Sequence, residues 1–143
     1  MGYTHYFEAL QPDEYLAEAA QELVEASNVS IKGWDGKCEP KFTADLIDLN
    51  GDADLGEDYE TFRLERGDLD FNFTKTGRRP YDEVVSAILI WCILNETEGW
   101  ENIGSDGDYD DWAGSGAFEL YESVFGPLSD DDMARLGETL NWS

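Results

Sequence analysis

The chain has 143 residues, 41% hydrophobic, 13% aromatic and 29% charged, and its 33 acidic residues against nine Lys and Arg leave a net charge of −24. That length suits one domain over residues 1–143, and that apolar share predicts a packed core rather than a disordered acidic tail. The acidity argues against direct binding along a nucleic acid, which needs clustered cations, and the longest apolar run, Ala87 to Leu94, falls far short of the roughly 20 residues that span a bilayer.

No basic stretch followed by an apolar segment opens the chain, so a cytoplasmic location is expected. Cys38, Cys92 and His5 are too few and too scattered for a structural zinc site, and a Cys38–Cys92 bridge is not expected in that compartment. No cofactor is expected either.

In chain order, Met1 to Glu8 reads as a strand with Tyr3, His5 and Phe7 on one face and Gly2, Thr4 and Tyr6 on the other. Pro12 suits the first turn of an amphipathic helix running to about Ala26, with Leu16, Ala19, Ala20, Leu23 and Val24 as its apolar stripe. Gly33, Gly36 and Pro40 mark a loop, Phe42 to Leu49 a second strand ended by an Asn50-Gly51 turn, and Asp52 to Asp58 an acidic loop. Glu60 to Arg66 and Leu69 to Thr76 read as strands joined by a Gly67-Asp68 hairpin turn, with Phe71 and Phe73 facing one way and Asn72, Thr74 and Thr76 the other.

Pro80 opens a second helix ending near Asn95, apolar on nearly all sides and therefore central or covered by a partner. Glu101 to Gly104 reads as a short strand, Ser105 to Gly116 as a loop and Ala117 to Phe125 as a short helix. Ser129 caps a last helix, with Asp130 to Asp132 at its positive end. The order β-α-β-β-β-α-β with a C-terminal helical extension predicts the α+β class, an antiparallel sheet with helices on one face.

The cations are unevenly placed. Arg63, Arg66, Lys75, Arg78 and Arg79 outnumber the acids of that segment and give it a net +2, whereas the remaining residues carry −26. Lys75-Thr76-Gly77-Arg78-Arg79-Pro80-Tyr81 joins a strand end to a helix start, where unpaired N–H groups and the dipole favour an anion. Lys75, Arg78 and Arg79 would add charge, and Thr76 and Tyr81 hydroxyls. These cations would serve equally to pair with nearby carboxylates and orient the loop.

Tyr3, His5 and Tyr6 offer ring faces and polar tips for a base or sugar, or else form a core strand around a hydrogen-bonded His. The stretches Asn50 to Asp54 and Ser105 to Asp111 alternate carboxylates, yet neither completes a calcium loop. A solvated acidic surface without metal is expected, as in a halophilic host.

Met1-Gly-Tyr-Thr-His-Tyr6, Asn50-Gly51, Glu60-Thr61-Phe62, Lys75-Thr-Gly-Arg-Arg-Pro-Tyr-Asp82 and Ser105-Asp-Gly-Asp108 together resemble a group of small phage and archaeal-virus proteins that begin in the same way. The resemblance covers about residues 1 to 112. It implies a small virus-encoded protein acting in the cytoplasm of the infected host cell, and no settled activity. Thr74 stands where the group's pattern leads one to expect Cys, so no thiol chemistry carries over.

Three functions are open. The first is a ligand-binding protein that sequesters, without turnover, a phosphate-bearing nucleotide such as a host immune signal, a role suited to a homo-oligomer. Its contacts would be Tyr3, His5, Tyr6, Lys75, Thr76, Arg78, Arg79 and Tyr81. The second is an acidic decoy that mimics nucleic acid toward a host protein. The third is a phosphoesterase-like enzyme with His5 as acid/base beside Asp106 or Asp108. A single His without a recognisable nucleophile–base pair leaves no catalytic residue to name.

Overall fold

The structure, a computed structural model, describes residues 3–141, so Met1 and Gly2 of the predicted first strand lie outside it. The elements run β1 (Thr4–Glu8), α1 (Glu14–Ala26), β2 (Ile31–Lys32), β3 (Lys41–Phe42), β4 (Leu46–Gly51), β5 (Phe62–Glu65), β6 (Phe71–Lys75), α2 (Asp82–Leu94), β7 (Gly104–Ser105), α3 (Tyr109–Gly114), α4 (Ala117–Phe125) and α5 (Asp130–Leu140).

The α+β class and antiparallel pairing are as predicted, but the strands form two sheets rather than one. β1 lies between β6 and β7 in the first. β4 is the centre of the second, with β5 along one side and β2 and β3 in succession along the other.

The helix α2 organises the core. Ten of its thirteen residues are buried, because it packs against α1, α4 and α5. Its side chains join Phe7 of β1, Ile47 and Leu49 of β4, Phe62 and Leu64 of β5, and Leu136 and Leu140 of α5 in one cluster. Each fully buried aliphatic there contributes about 1.5–3 kcal/mol of transfer free energy. Among the described residues no helix is long and apolar enough to cross a membrane. Cys38 and Cys92 are both free thiols, Cys92 being buried within α2.

Several predicted elements change. Phe42 to Leu49 is not one strand but a tight hairpin, β3 to β4, because Thr43 folds back: its N–H donates to the Leu46 carbonyl (2.9 Å) and its hydroxyl accepts from Leu46 N–H (3.0 Å). Asn50-Gly51 is not a turn. Both residues continue β4, and the Asn50 amide bonds Tyr59 N–H and C=O (3.0 and 2.9 Å), standing in for a ladder where the chain before β5 has left the sheet. Gly51 is required for close approach, since a Cβ there would overlap the Glu57 carbonyl.

The Gly67-Asp68 turn exists, with Gly67 at φ 89°, but its flanking strands diverge to different sheets. Gln11 holds it there, accepting from Gly67 N–H and donating to the Asp68 carbonyl, both at 2.8 Å. The predicted loop Ser105 to Gly116 contains α3, nucleated by reciprocal capping of Asp108 and Asp111. Pro12 precedes α1 instead of entering it, because Asp13 caps that helix. Asp130 to Asp132 do fill the first turn of α5 behind the Ser129 cap.

The loop before β3 depends on Asp35, whose carboxylate accepts from the N–H groups of Lys37 and Cys38, both at 2.9 Å. Those bonds, that of Cys38 foremost, lower its pKa from 3.8 to about 2. The folded state therefore binds this proton less tightly than the unfolded chain, so the contribution is complete above 3.8 and disappears as pH falls through about 2. Asp35→Ala is expected to lower the urea midpoint at pH 6 and to lower it much less near pH 2. An equal gap at both values would mean that the charge plays no part.

Candidate functional site

Period-two alternation divides the predicted site between two faces of the first sheet. Outward stand Thr4 and Tyr6 of β1, opposite Lys75 and Phe73 of β6, with Phe71 one pair further along. They line a groove of about 980 Å³ whose remaining wall is Tyr3, Gly77, Arg78 and Asp106. Phe71 and Phe73 are 57% and 53% exposed, and the Tyr6 ring lies nearly parallel to that of Phe71 at 6.1 Å. Neither Phe appears in the sequence-based site.

Asp106 holds the opposite wall: its carboxylate accepts from Tyr6 Oη (2.7 Å) and from Thr4 N–H (3.1 Å). The bond to Asp106 holds the Tyr6 phenol above its ordinary pKa, so it remains a donor.

The cationic end is built by an unusual backbone. Gly77 and Arg78 are both left-handed, at φ 59° and 57°, and for Arg this conformation costs about 1–2 kcal/mol. It is held by Thr76 and Gly77 N–H groups donating to the Tyr3 carbonyl (3.0 and 3.2 Å). The result lays the Arg78 guanidinium over the Tyr3 ring, 4.0 Å from its centroid, at the mouth of the groove. Arg78 lies 4.0 Å from Asp111, and among the described residues no carboxylate pairs with the Lys75 ammonium.

Tyr3 is buried, and burial followed by the negative field of Asp82 pushes its phenol up to about 12. A Cβ at Gly107 would overlap that hydroxyl. Gly107→Ala is therefore expected to destabilise the protein by about 1–3 kcal/mol and to tilt Tyr3 from beneath Arg78. An unaltered urea midpoint would show that Tyr3 is not held there.

Four predicted contacts do not reach the groove, Arg79 and three inward-facing residues. His5, Thr76 and Tyr81 are fully buried behind the sheet. His5 Nε2 bonds Asp82 Oδ1 at 2.6 Å, Thr76 Oγ1 donates to the same oxygen at 2.6 Å, and His5 Nδ1 bonds Ser105 Oγ at 2.8 Å. Tyr81 Oη donates to the Glu60 carbonyl (2.5 Å) and, with burial as the first cause, its pKa is strongly raised.

Ser105, His5 and Asp82 thus follow one another as in a hydrolase triad, an alignment the sequence reading did not assemble. Ser105 Oγ, however, already accepts from Gly107 N–H (2.9 Å) and Trp112 Nε1–H (3.2 Å). With its two lone pairs engaged, its hydrogen is left for His5 Nδ1, and this partly buried string joins β1, β7, α2 and α3 rather than offering a nucleophile.

The other cations separate. Arg63 pairs with Asp48 and Glu65, and Arg66 with Asp45, all in the second sheet or beside it. Arg79 leaves the groove, its guanidinium 5.3 Å from the Tyr59 ring centroid, and borders a smaller cavity of about 310 Å³ with Arg78 and Glu83. The start of α2 does not present the expected empty anion seat: its own Asp82 and Glu83 occupy the first turn.

Asp52 and Asp108 are helix caps, and among the described residues no three His, Cys, Asp or Glu side chains are grouped to hold a metal. No family model, curated protein or solved structure matches the chain.

Proposed function

We propose that this protein binds, without chemical turnover, a small phosphate-bearing molecule with a flat ring, of the nucleotide class, in the groove outside β1 and β6. One observation carries this reading: Lys75 and Arg78 border the same hollow as the open faces of Tyr6, Phe71 and Phe73, within a chain that is elsewhere strongly acidic. Phosphate favours the two cations, because Arg offers a planar fork of donors and Lys a mobile charge. A base favours the aromatic strip, where stacking contributes about 1–3 kcal/mol per base. Asp106 accepts from a ring or exocyclic N–H. A virus-encoded protein of this kind would deplete a nucleotide signal in the host cytoplasm by affinity alone.

Calorimetric titration with ATP, a cyclic mononucleotide, a cyclic dinucleotide, inorganic phosphate and a nucleoside tests the reading. At least one nucleotide is expected to bind more tightly than phosphate or nucleoside and to be recovered unaltered by chromatography. Absence of heat with every nucleotide, or recovery of a converted product, would overturn it.

A further inference from the structure

One side of β6 is a bare sheet edge. Thr76 N–H donates to the Tyr3 carbonyl (3.0 Å) and Ala9 N–H to that of Asp70 (3.4 Å), so the even-numbered residues of this segment turn their backbone groups toward β1. The odd-numbered ones turn theirs away. At Lys75 that far side is occupied by Glu60, whose N–H donates to the Lys75 carbonyl (3.2 Å) and whose carboxylate accepts from Lys75 N–H (2.8 Å). At Phe71 and Phe73 no described residue bonds to it.

Beside this edge stand Leu69, Phe71 and Phe73, each more than half exposed. Monomeric proteins blunt such edges with Lys, Pro, bulges or a covering loop, because an open one recruits another strand. Here the exposed face is apolar and the backbone is free.

The charge along this segment selects the occupant. Asp68 and Asp70 precede Phe71, whereas Lys75, Arg78 and Arg79 follow Phe73. Two copies aligned in parallel would set like charge beside like. Aligned antiparallel, each cationic end lies along the acidic end of the other.

We infer that two copies of this chain join β6 to β6 antiparallel about a two-fold axis at Asn72. Phe71 exchanges backbone hydrogen bonds with Phe73 of the second copy, and Phe73 with its Phe71, while Glu60 stops the pairing at Lys75. Asn72 faces its own counterpart as a non-hydrogen-bonded pair. The two first sheets become one, and the aromatic strips meet on its outer face, so each copy supplies Phe71 and Phe73 to the border of the other's groove. That last consequence rests on the groove reading above; the pairing does not.

Analytical ultracentrifugation of the ligand-free chain tests the pairing over a dilution series at high salt, where the net charge of −24 is screened. Twice the chain mass is expected, dissociating on dilution and more readily at low salt. Phe73→Lys is expected to give a folded monomer whose urea midpoint matches that of the wild-type chain diluted until it has dissociated, since that side chain is exposed in the single chain; should it fail to fold, Phe71→Lys makes the same test.

In a Cys38→Ser background, mild oxidation of Asn72→Cys is expected to link two chains, whereas Tyr15→Cys, exposed on α1, is not. A wild-type chain that stays monomeric at every concentration and salt, or a dimer that survives both lysine variants without an Asn72→Cys crosslink, would overturn the pairing. Either result leaves the nucleotide titration to be judged separately.

Discussion

His5→Leu is expected to destabilise the protein by at least about 1–3 kcal/mol, the usual cost of leaving a buried acceptor, here a carboxylate, without one of its partners. The loss arises at Asp82. Its Oδ1 is shared by His5 and Thr76 at 2.6 Å each in a buried setting, and leucine would leave that oxygen with the Thr76 hydroxyl alone. Ser105 would also lose the acceptor for its hydrogen.

The double variant His5→Leu/Asp82→Leu is expected to be more stable than the sum of its single changes, because apolar groups of similar size leave no charge to satisfy. Urea unfolding of the four species measures this. A His5→Leu cost below about 1 kcal/mol would mean that water enters and replaces the imidazole.

Arg78→Gly is expected to weaken nucleotide binding by about 1.5–3 kcal/mol, roughly 10- to 150-fold, while leaving stability close to that of the native chain. The two effects separate because Arg78 is held at φ 57°. Glycine adopts that conformation without penalty, which offsets the lost contact with the Tyr3 face. Arg78→Ala, which keeps the strain and loses the guanidinium, is expected to bind as weakly as Arg78→Gly and to unfold earlier. If Arg78 merely orients its loop, Arg78→Gly will lower stability without weakening nucleotide binding, and titration calorimetry beside urea unfolding distinguishes the two cases.

Of the predicted contacts Tyr3, Tyr6, Lys75 and Arg78 line the groove, and strand parity takes others away from it. Tyr3, His5 and Tyr6 were grouped although odd and even residues of a strand face opposite ways, and the even positions Thr74 and Thr76 point inward with His5. The signal that would have placed Phe71 and Phe73 in the groove was present. They share parity with Lys75, an ammonium does not enter a core, and both rings must therefore stand outside with it.

The two-sheet split was not legible in the same way. Glu60 to Arg66 and Leu69 to Thr76 both read as strands, and it is their pairing with β4 and β1, with Gln11 holding the turn from more than fifty residues away, that keeps them from closing a hairpin.

What the amino-acid order by itself determined is what depends on near neighbours: the helix start at Ser129, the all-round apolar α2, the face of each residue in β1 and β6, and the gathering of cations in one short segment. Which cations share a hollow, which carboxylate is buried against His5, and which side of β6 is left bare were decided only when distant segments met. Burial and hydrogen bonding are properties of the space around a side chain, and that space is assembled here from β1, β6, β7, α2 and α3 together.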